Sequence, residues 1–362
     1  MMNAFHGSDL EKIEELYGIR KEEIISFSAN VNPLGISDHF KKSMEGELDC
    51  IEHYPDREYT SLREAIAGYC KADPSDIIVG NGSSELIGSV IRHKIKPKTL
   101  IVTPAYSEYE RNVMLCGGEA CYFDLKEEED FRLDTGDLIK RLEKGLDLVM
   151  ICSPSNPTSY AVRKDDLRRI LDRCEALNIT CAVDETYMDF ADDEYDITPL
   201  TEEYRCLFVI RSFSKFFCAP GLRLGYAVCH DEKMKQQIRE HMDPWSVSSF
   251  AAKAGEVLVA DTDFIERSRR YIREERDRIC HILDDMRSLG LKYYDPKGNF
   301  ILLRLPKDKM DSKEFFERAI REKMFIRDCS TFRGLDERFA RFCIMKREDN
   351  DALMSLLREG ID

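Results

Sequence analysis

No apolar run in this chain of 362 residues approaches the ~18 needed to cross a membrane as a helix. The opening residues, Met1-Met2-Asn3-Ala4-Phe5-His6-Gly7, run into acidic, helix-like sequence without the basic and apolar regions of a signal peptide. Cationic excess is missing as well: 54 Lys and Arg face 69 Asp and Glu, a formal net charge of −15. Without a broad basic field, nucleic acid and anionic membrane surfaces are poor partners, although a local pocket for a single anion stays possible. Internal repeats, low-complexity tracts and Pro/Gly/Ser linkers are also lacking. The 13 cysteines include no Cys-x-x-Cys pair, and the closest spacing is Cys116 to Cys121. That dispersion argues against a zinc or disulfide framework, so no metal is expected. Cys152, Cys181, Cys206 and Cys343, in apolar surroundings, read as buried thiols of a cytoplasmic protein.

What is present describes a globular chain with a sizeable core: 43% hydrophobic and 34% charged residues. The length suggests two domains. Residues 8–23, with Leu10, Ile13, Leu16 and Tyr17 on one face, read as a short amphipathic helix. Between about residues 60 and 230, helical patterns alternate with short apolar runs. These are Ile77–Val79, Leu100–Val102, Leu148–Cys152, Ile179–Val183, Cys206–Ile210 and Leu224–Val228. Continuous apolar strands separated by helices predict a mostly parallel sheet covered on both faces. A long helical region follows Pro244 and runs to about Met286, with a break at Asp261-Thr262-Asp263, where an aspartate can cap a new start. The last 70 residues read as strand, helix, strand, strand and helix, a small α/β domain beside the large one.

The polar signals stand where the strands end, the usual place for ligands in an open α/β sheet. Four clusters do so: Val79-Gly80-Asn81-Gly82-Ser83-Ser84-Glu85, Ser153-Pro154-Ser155-Asn156-Pro157, Asp184-Glu185-Thr186-Tyr187 and Arg211-Ser212-Phe213-Ser214-Lys215. In the last, two hydroxyls within three residues and Arg223 eight residues on are donors suited to a phosphate. A lysine beside such a site can form a Schiff base with an aldehyde if nearby cations lower its pKa. Taken singly, Asp184 reads equally well as a helix cap, Asn156-Pro157 as a turn, Tyr106 and Tyr187 as core aromatics, and Arg327 and Arg341 as surface ion-pair partners.

Arg211-Ser-Phe-Ser-Lys215 followed by Pro220-Gly-Leu-Arg-Leu-Gly-Tyr226 resembles the lysine motif of the pyridoxal-phosphate-dependent class I/II aminotransferases of fold type I. The other clusters occur in that family's order and spacing, over nearly the whole chain. The resemblance implies a large domain with a mostly parallel seven-stranded sheet and a small C-terminal α/β domain. Residues 1–45 would form an N-terminal segment against the small domain and the active site. Residues 46–250 would form the cofactor domain, and 251–362 a long connecting helix with the small domain. It implies pyridoxal 5'-phosphate as cofactor, held by Lys215, with Asp184 on the ring nitrogen, Tyr187 and Asn156 on the ring hydroxyl oxygen, and Tyr106 stacked on the ring. Gly82, Ser83, Ser84, Ser212, Ser214 and Arg223 would hold the phosphate. Tyr54 would reach the phosphate of a second copy across a homodimer interface. Ser159 departs from the family, which usually has glycine there.

His6-Gly7, the stretch Phe27-Ser28-Ala29-Asn30-Val31-Asn32-Pro33-Leu34-Gly35 and Pro244-Trp245-Ser246-Val247-Ser248 are more similar to the threonine-phosphate decarboxylase branch than to the histidinol-phosphate aminotransferases. The latter usually lack the leading His-Gly and have an acidic residue where this chain has Val31. Phe325-Ile326-Arg327-Asp328-Cys329 and the stretch around Arg341 match the decarboxylase pattern as well. This resemblance implies a small phosphorylated amino acid, O-phosphothreonine or O-phosphoserine, bound by His6, Gly7, Asn30, Asn156, Arg327 and Arg341. His6-Gly7-Ser8 departs from the more usual His-Gly-Gly. The alternatives are a class I/II aminotransferase, such as one acting on histidinol phosphate, and a non-enzymatic effector-binding module. The module is disfavoured because only 26 residues precede Phe27, too few for a DNA-binding domain.

Overall fold

A computed structural model describes residues 9–362. The thirteen strands among the described residues, in chain order, begin with β1 (Ile25–Ser26). The apolar runs of the sequence then form β2 (Ile77–Gly80), β3 (Lys98–Thr103), β5 (Leu148–Cys152), β6 (Thr180–Asp184), β7 (Leu207–Ser212) and β8 (Gly225–Val228), with β4 (Glu119–Asp124) between β3 and β5 in the chain. Further on come β9 (Lys292–Tyr293), β10 (Phe300–Arg304), β11 (Met324–Phe325), β12 (Arg327–Asp328) and β13 (Phe339–Cys343).

The large sheet has seven strands in the order β2-β8-β7-β6-β5-β3-β4. All are parallel except β8, which runs antiparallel to both β2 and β7. Along β5 the side chains alternate between the faces, and both faces are buried. Val149 and Ile151 join one apolar cluster, while Leu148, Met150 and Cys152 join the other. Helices on both sides are what bury these alternating residues, as continuous apolar strands require.

Strand β4 was not expected. Its sequence, Glu-Ala-Cys-Tyr-Phe-Asp, lies at the sheet edge and is only partly buried, so it lacks the apolar run of an inner strand. The first helix is shorter than the pattern over 8–23 suggests. It spans Leu10–Tyr17 and stops where Gly18 turns left-handed at φ +66°, leaving Lys21–Glu23 as a separate turn. The expected break in the long helical region falls at Asp261, whose carboxylate accepts the amide of Phe264 at the start of the helix Thr262–Asp285.

The second sheet is antiparallel, in the order β12-β13-β10-β9. The early segment 25–32 threads between the sheets by backbone bonds. β1 pairs with β11, and Phe27 O accepts the amide of Cys343. Asn32 N–H donates to Lys215 O. No helix among the described residues is long and apolar enough to cross a membrane.

Candidate active site

The strand ends meet at a cavity of about 840 Å³. Lys215 stands three residues beyond β7, on a turn pinned by the buried Phe213 and by the Ser214 amide donating to Ser212 Oγ. Its Nζ donates to Ala29 O at 2.7 Å. Burial, together with the neighbouring Arg341 and Arg223, brings this amine down to about 8. A lysine so tuned has a substantial neutral fraction near neutrality, as a nucleophile requires.

Asp184, the last residue of β6, is buried in the same cavity. Its Oδ1 accepts the Thr186 amide at 3.0 Å and the Thr186 hydroxyl at 2.6 Å, and its Oδ2 accepts the Tyr109 hydroxyl at 2.6 Å. Burial pushes the carboxyl up, and these bonds and Lys215 pull it back. Tyr109 belongs to the helix Ser107–Leu115 and meets Tyr106 edge-on, with centroids 5.8 Å apart. Sequence reasoning missed Tyr109 and Thr186. The available signal for Tyr109 was its spacing three residues after Tyr106, which puts both on one helical side. Tyr187 is buried with its hydroxyl accepting Asn30 Nδ2 at 3.3 Å, and burial keeps the phenol protonated.

Beyond β2 the helix Ser83–Arg92 begins without a side-chain cap, so its first amides are left for a ligand. Gly82 precedes it at φ +76°, and a Cβ there would lie 2.4 Å from Arg223 Nη2. A Cβ on Gly225 would lie 2.6 Å from Ser83 N. The two glycines let a helix start and a guanidinium converge, and Ser83, Ser84, Ser212 and Ser214 border the same cavity. This cradle fits a phosphate monoester. Lys215 suits an aldehyde, and a carboxylate as firmly held as Asp184 suits a protonated ring nitrogen. The residues therefore fit pyridoxal phosphate.

Arg341 of β13 and Arg327 of β12 are paired across the small sheet and both line the cavity. Arg341 is buried and donates to Asn156 Oδ1 and, at 2.6 Å, to Ser28 O. Arg327 donates to Thr331 Oγ1 at 3.2 Å. Among the described residues neither arginine makes an ion pair with a carboxylate. Asn30 holds a left-handed conformation at φ +55° and also lines the cavity. Tyr54 does not line it; the side chain is 82% exposed, against Trp245 with centroids 5.1 Å apart. His6 and Gly7 lie outside the described residues. No group of three or more potential metal ligands occurs among the described residues.

The departure at Ser159 has a local reason. This buried residue takes φ +62°, where glycine would be the unstrained choice. Its Oγ accepts the Gly298 amide at 2.9 Å and its carbonyl accepts the Lys297 amide at 2.8 Å. The hydroxyl thus ties the loop after Asn156 to the segment leading into β10, which glycine could not do.

Residues 22–357 match the family described as aminotransferase class I and II. The chain belongs to that family. Class I and II aminotransferases are pyridoxal-phosphate-dependent, in agreement with the fit of the site. The chain is 34% identical over 358 residues to the threonine-phosphate decarboxylase of Salmonella typhimurium, covering 99% of this chain and 97% of that one. Among solved structures it resembles the histidinol-phosphate aminotransferase of Clostridium acetobutylicum, with a TM-score of 0.86 and 31% identity over 92% of this chain and 98% of that one. It also resembles the L-threonine-O-3-phosphate decarboxylase of Porphyromonas gingivalis, with a TM-score of 0.80 and 26% identity over the same shares, 92% and 98%. Fold type I, with its large mostly parallel sheet, is thereby shown.

Proposed function

We propose that the protein is a pyridoxal-phosphate-dependent decarboxylase of O-phospho-L-threonine or O-phosphoserine. Its product would be an aminoalcohol phosphate for the linker of the cobalamin nucleotide loop. The observation that carries this reading is that Arg327 and Arg341 share a cavity with Lys215 and, among the described residues, have no carboxylate partner. Two cations facing one cavity suit a substrate with both a carboxylate and a phosphate. The similarity to threonine-phosphate decarboxylase over nearly the full length supports it.

When bound, the cofactor supplies an electron sink for the pair left on the substrate Cα once a bond there is broken. Asp184 would hold a proton on the ring nitrogen, where positive charge would make the sink effective. Asn156 and Tyr187 would donate to the ring hydroxyl oxygen, Tyr106 would cover the ring, and the helix start with Arg223 would anchor the phosphate. Arg341, already tied to Asn156 and Ser28, orients the substrate carboxylate. With the substrate carboxylate lost as carbon dioxide, the bonding pair would stay at Cα, and the Lys215 ammonium would deliver a proton there. Val31 lines the cavity at the position where the histidinol-phosphate aminotransferases usually have an acidic residue, which favours phosphothreonine over histidinol phosphate.

On this reading residues 1–45, 46–250 and 251–362 form the arm, the cofactor domain and the small domain. Two copies associate so that Tyr54 of each reaches the other's phosphate. The exposed Leu48, Ile51, Tyr54 and Trp245 support such an interface. Carbon dioxide released from O-phosphothreonine by the cofactor-loaded protein is the expected result. Oxo-acid-dependent conversion of histidinol phosphate without release of carbon dioxide would make it an aminotransferase instead.

A further inference from the structure

Arg333 lies in the turn between β12 and β13, at the edge of the small sheet, yet its partners lie on β4, at the edge of the large one. Its Nε donates to Asp124 Oδ1 at 2.7 Å and its Nη2 to Asp124 Oδ2 at 3.1 Å. Its guanidinium also lies over the Tyr122 ring, 4.0 Å from the centroid. Tyr122 and Asp124 are two apart on one strand and so share a face. Both receivers are fixed from behind: Tyr122 donates to Glu110 Oε1 at 2.7 Å, and Thr103 Oγ1 donates to Asp124 Oδ1 at 2.6 Å. An isolated half-exposed ion pair contributes little, but a two-pronged one stacked on an aromatic ring has fixed geometry.

The same turn carries the contacts of Arg327. Thr331 accepts from Arg327 Nη2, and Arg327 Cζ lies 5.2 Å from the centre of the Phe332 ring. Thr331, Phe332, Arg333 and Tyr122 all border the cavity. We propose that Arg333 is a positioning residue: by clasping Asp124 and Tyr122 it holds the 329–335 turn against the large sheet and so sets Arg327 for the anionic group of the substrate. This rests on the reading that Arg327 meets that anion. The clasp itself needs no ligand. It makes the outer wall of the cavity a joint between two sheet edges, and the grip on the substrate depends on the joint being closed.

The test compares Arg333→Ala, Asp124→Asn and the exchanged pair Arg333→Asp with Asp124→Arg in the cofactor-loaded protein. Amide hydrogen exchange over residues 329–335 and steady-state kinetics with O-phosphothreonine are the two readouts. Each single variant is expected to exchange faster in that turn and to raise KM roughly 5- to 20-fold, with kcat within about twofold. The exchanged pair should recover part of the KM. A general structural role would lower thermal stability and kcat together without the split or the recovery. Unchanged exchange in both single variants, or unchanged KM with faster exchange, overturns the proposal. If the unaltered protein releases no carbon dioxide from O-phosphothreonine, the proposed function fails, and the clasp is then decided by the exchange measurement alone.

Discussion

Arg341 joins the two larger sheets at a single side chain: it leaves β13 of the four-stranded sheet and donates to Asn156, four residues beyond the end of β5 in the seven-stranded one. A second bond, to Ser28 O, brings in the early segment as well. One guanidinium therefore registers three parts of the chain and lines the cavity at the same time.

Replacing Arg341 by Gln is expected to lower kcat/KM for O-phosphothreonine by at least roughly 30-fold, the effect of truncating one partner of a desolvated charge pair. Arg341→Lys should recover little of it, because an ammonium cannot serve Asn156, Ser28 O and an anion in one plane. Steady-state kinetics across the two variants decides this. A lysine variant close to the native protein would contradict a geometric role.

Lys215 sets a pH dependence that is visible before any turnover. Its amine lies at about 8 in the folded protein, below the ordinary lysine value, so the folded state binds fewer protons than the unfolded one between those two values. Stability must then rise with pH across that interval, because the cost of burying the ammonium is full below about 8 and is relieved above it. Thermal melting of the cofactor-free protein and of Lys215→Met from pH 7 to 10 should show this slope only in the former. The same lysine predicts that uptake of the aldehyde cofactor accelerates with a midpoint near 8, and that Lys215→Ala holds no covalent cofactor.

Ser159 separates backbone strain from hydrogen bonding. Ser159→Ala keeps the left-handed backbone and loses the bond to the Gly298 amide, so a loss of about 1–2 kcal/mol is expected. Ser159→Gly relieves the strain while losing the same bond, and should fall closer to the native protein. Urea unfolding of both variants tests this: were the hydroxyl to contribute nothing, Ser159→Ala would match the native protein and Ser159→Gly would exceed it.

Arg211 tests the ground beneath the site. Its guanidinium, buried under β7, faces Glu185 at 2.8 Å, Asp189 at 3.4 Å and Asp196 at 2.8 Å. Burial already pushes Glu185 up to about 8 despite the arginine. Arg211→Met leaves these carboxylates without their cation, at an expected cost of about 3–5 kcal/mol. Urea unfolding at neutral pH measures it. Because Glu185 already stands at about 8 beside the arginine and must rise further without it, the variant loses stability faster than the native protein as the pH climbs above 8, so the deficit should widen there.

The inner strands were legible because each is a continuous apolar run, and the cofactor clusters because they end those runs in the family's order. The structure brings Lys215, Asp184, Tyr187, Asn156, Arg223, Arg327 and Arg341 to one cavity. What escaped the sequence has a physical cause in each case. The acceptors of Lys215 and Arg341 are the carbonyls of Ala29 and Ser28, and no side-chain pattern announces a carbonyl. Tyr109 looks like any core aromatic until its hydroxyl is seen on Asp184. The clasp of Arg333 joins positions 209 residues apart, and charges on an edge strand and in a turn ordinarily signify only solvent. Tyr54 turns outward, so its expected role concerns a second copy.

The threading of residues 25–32 between the sheets also imposes an order in time. This stretch is made more than 300 residues before its partners, so Phe27 waits for Cys343 and Ser28 for Arg341. Contacts this distant in sequence form late. A nascent chain can build most of the large sheet while its lysine has no carbonyl of Ala29 to rest on and its cavity has no far wall. Catalytic competence therefore arrives at once, with the last strand, and a chain cut short before β13 would carry every cofactor residue without a closed site.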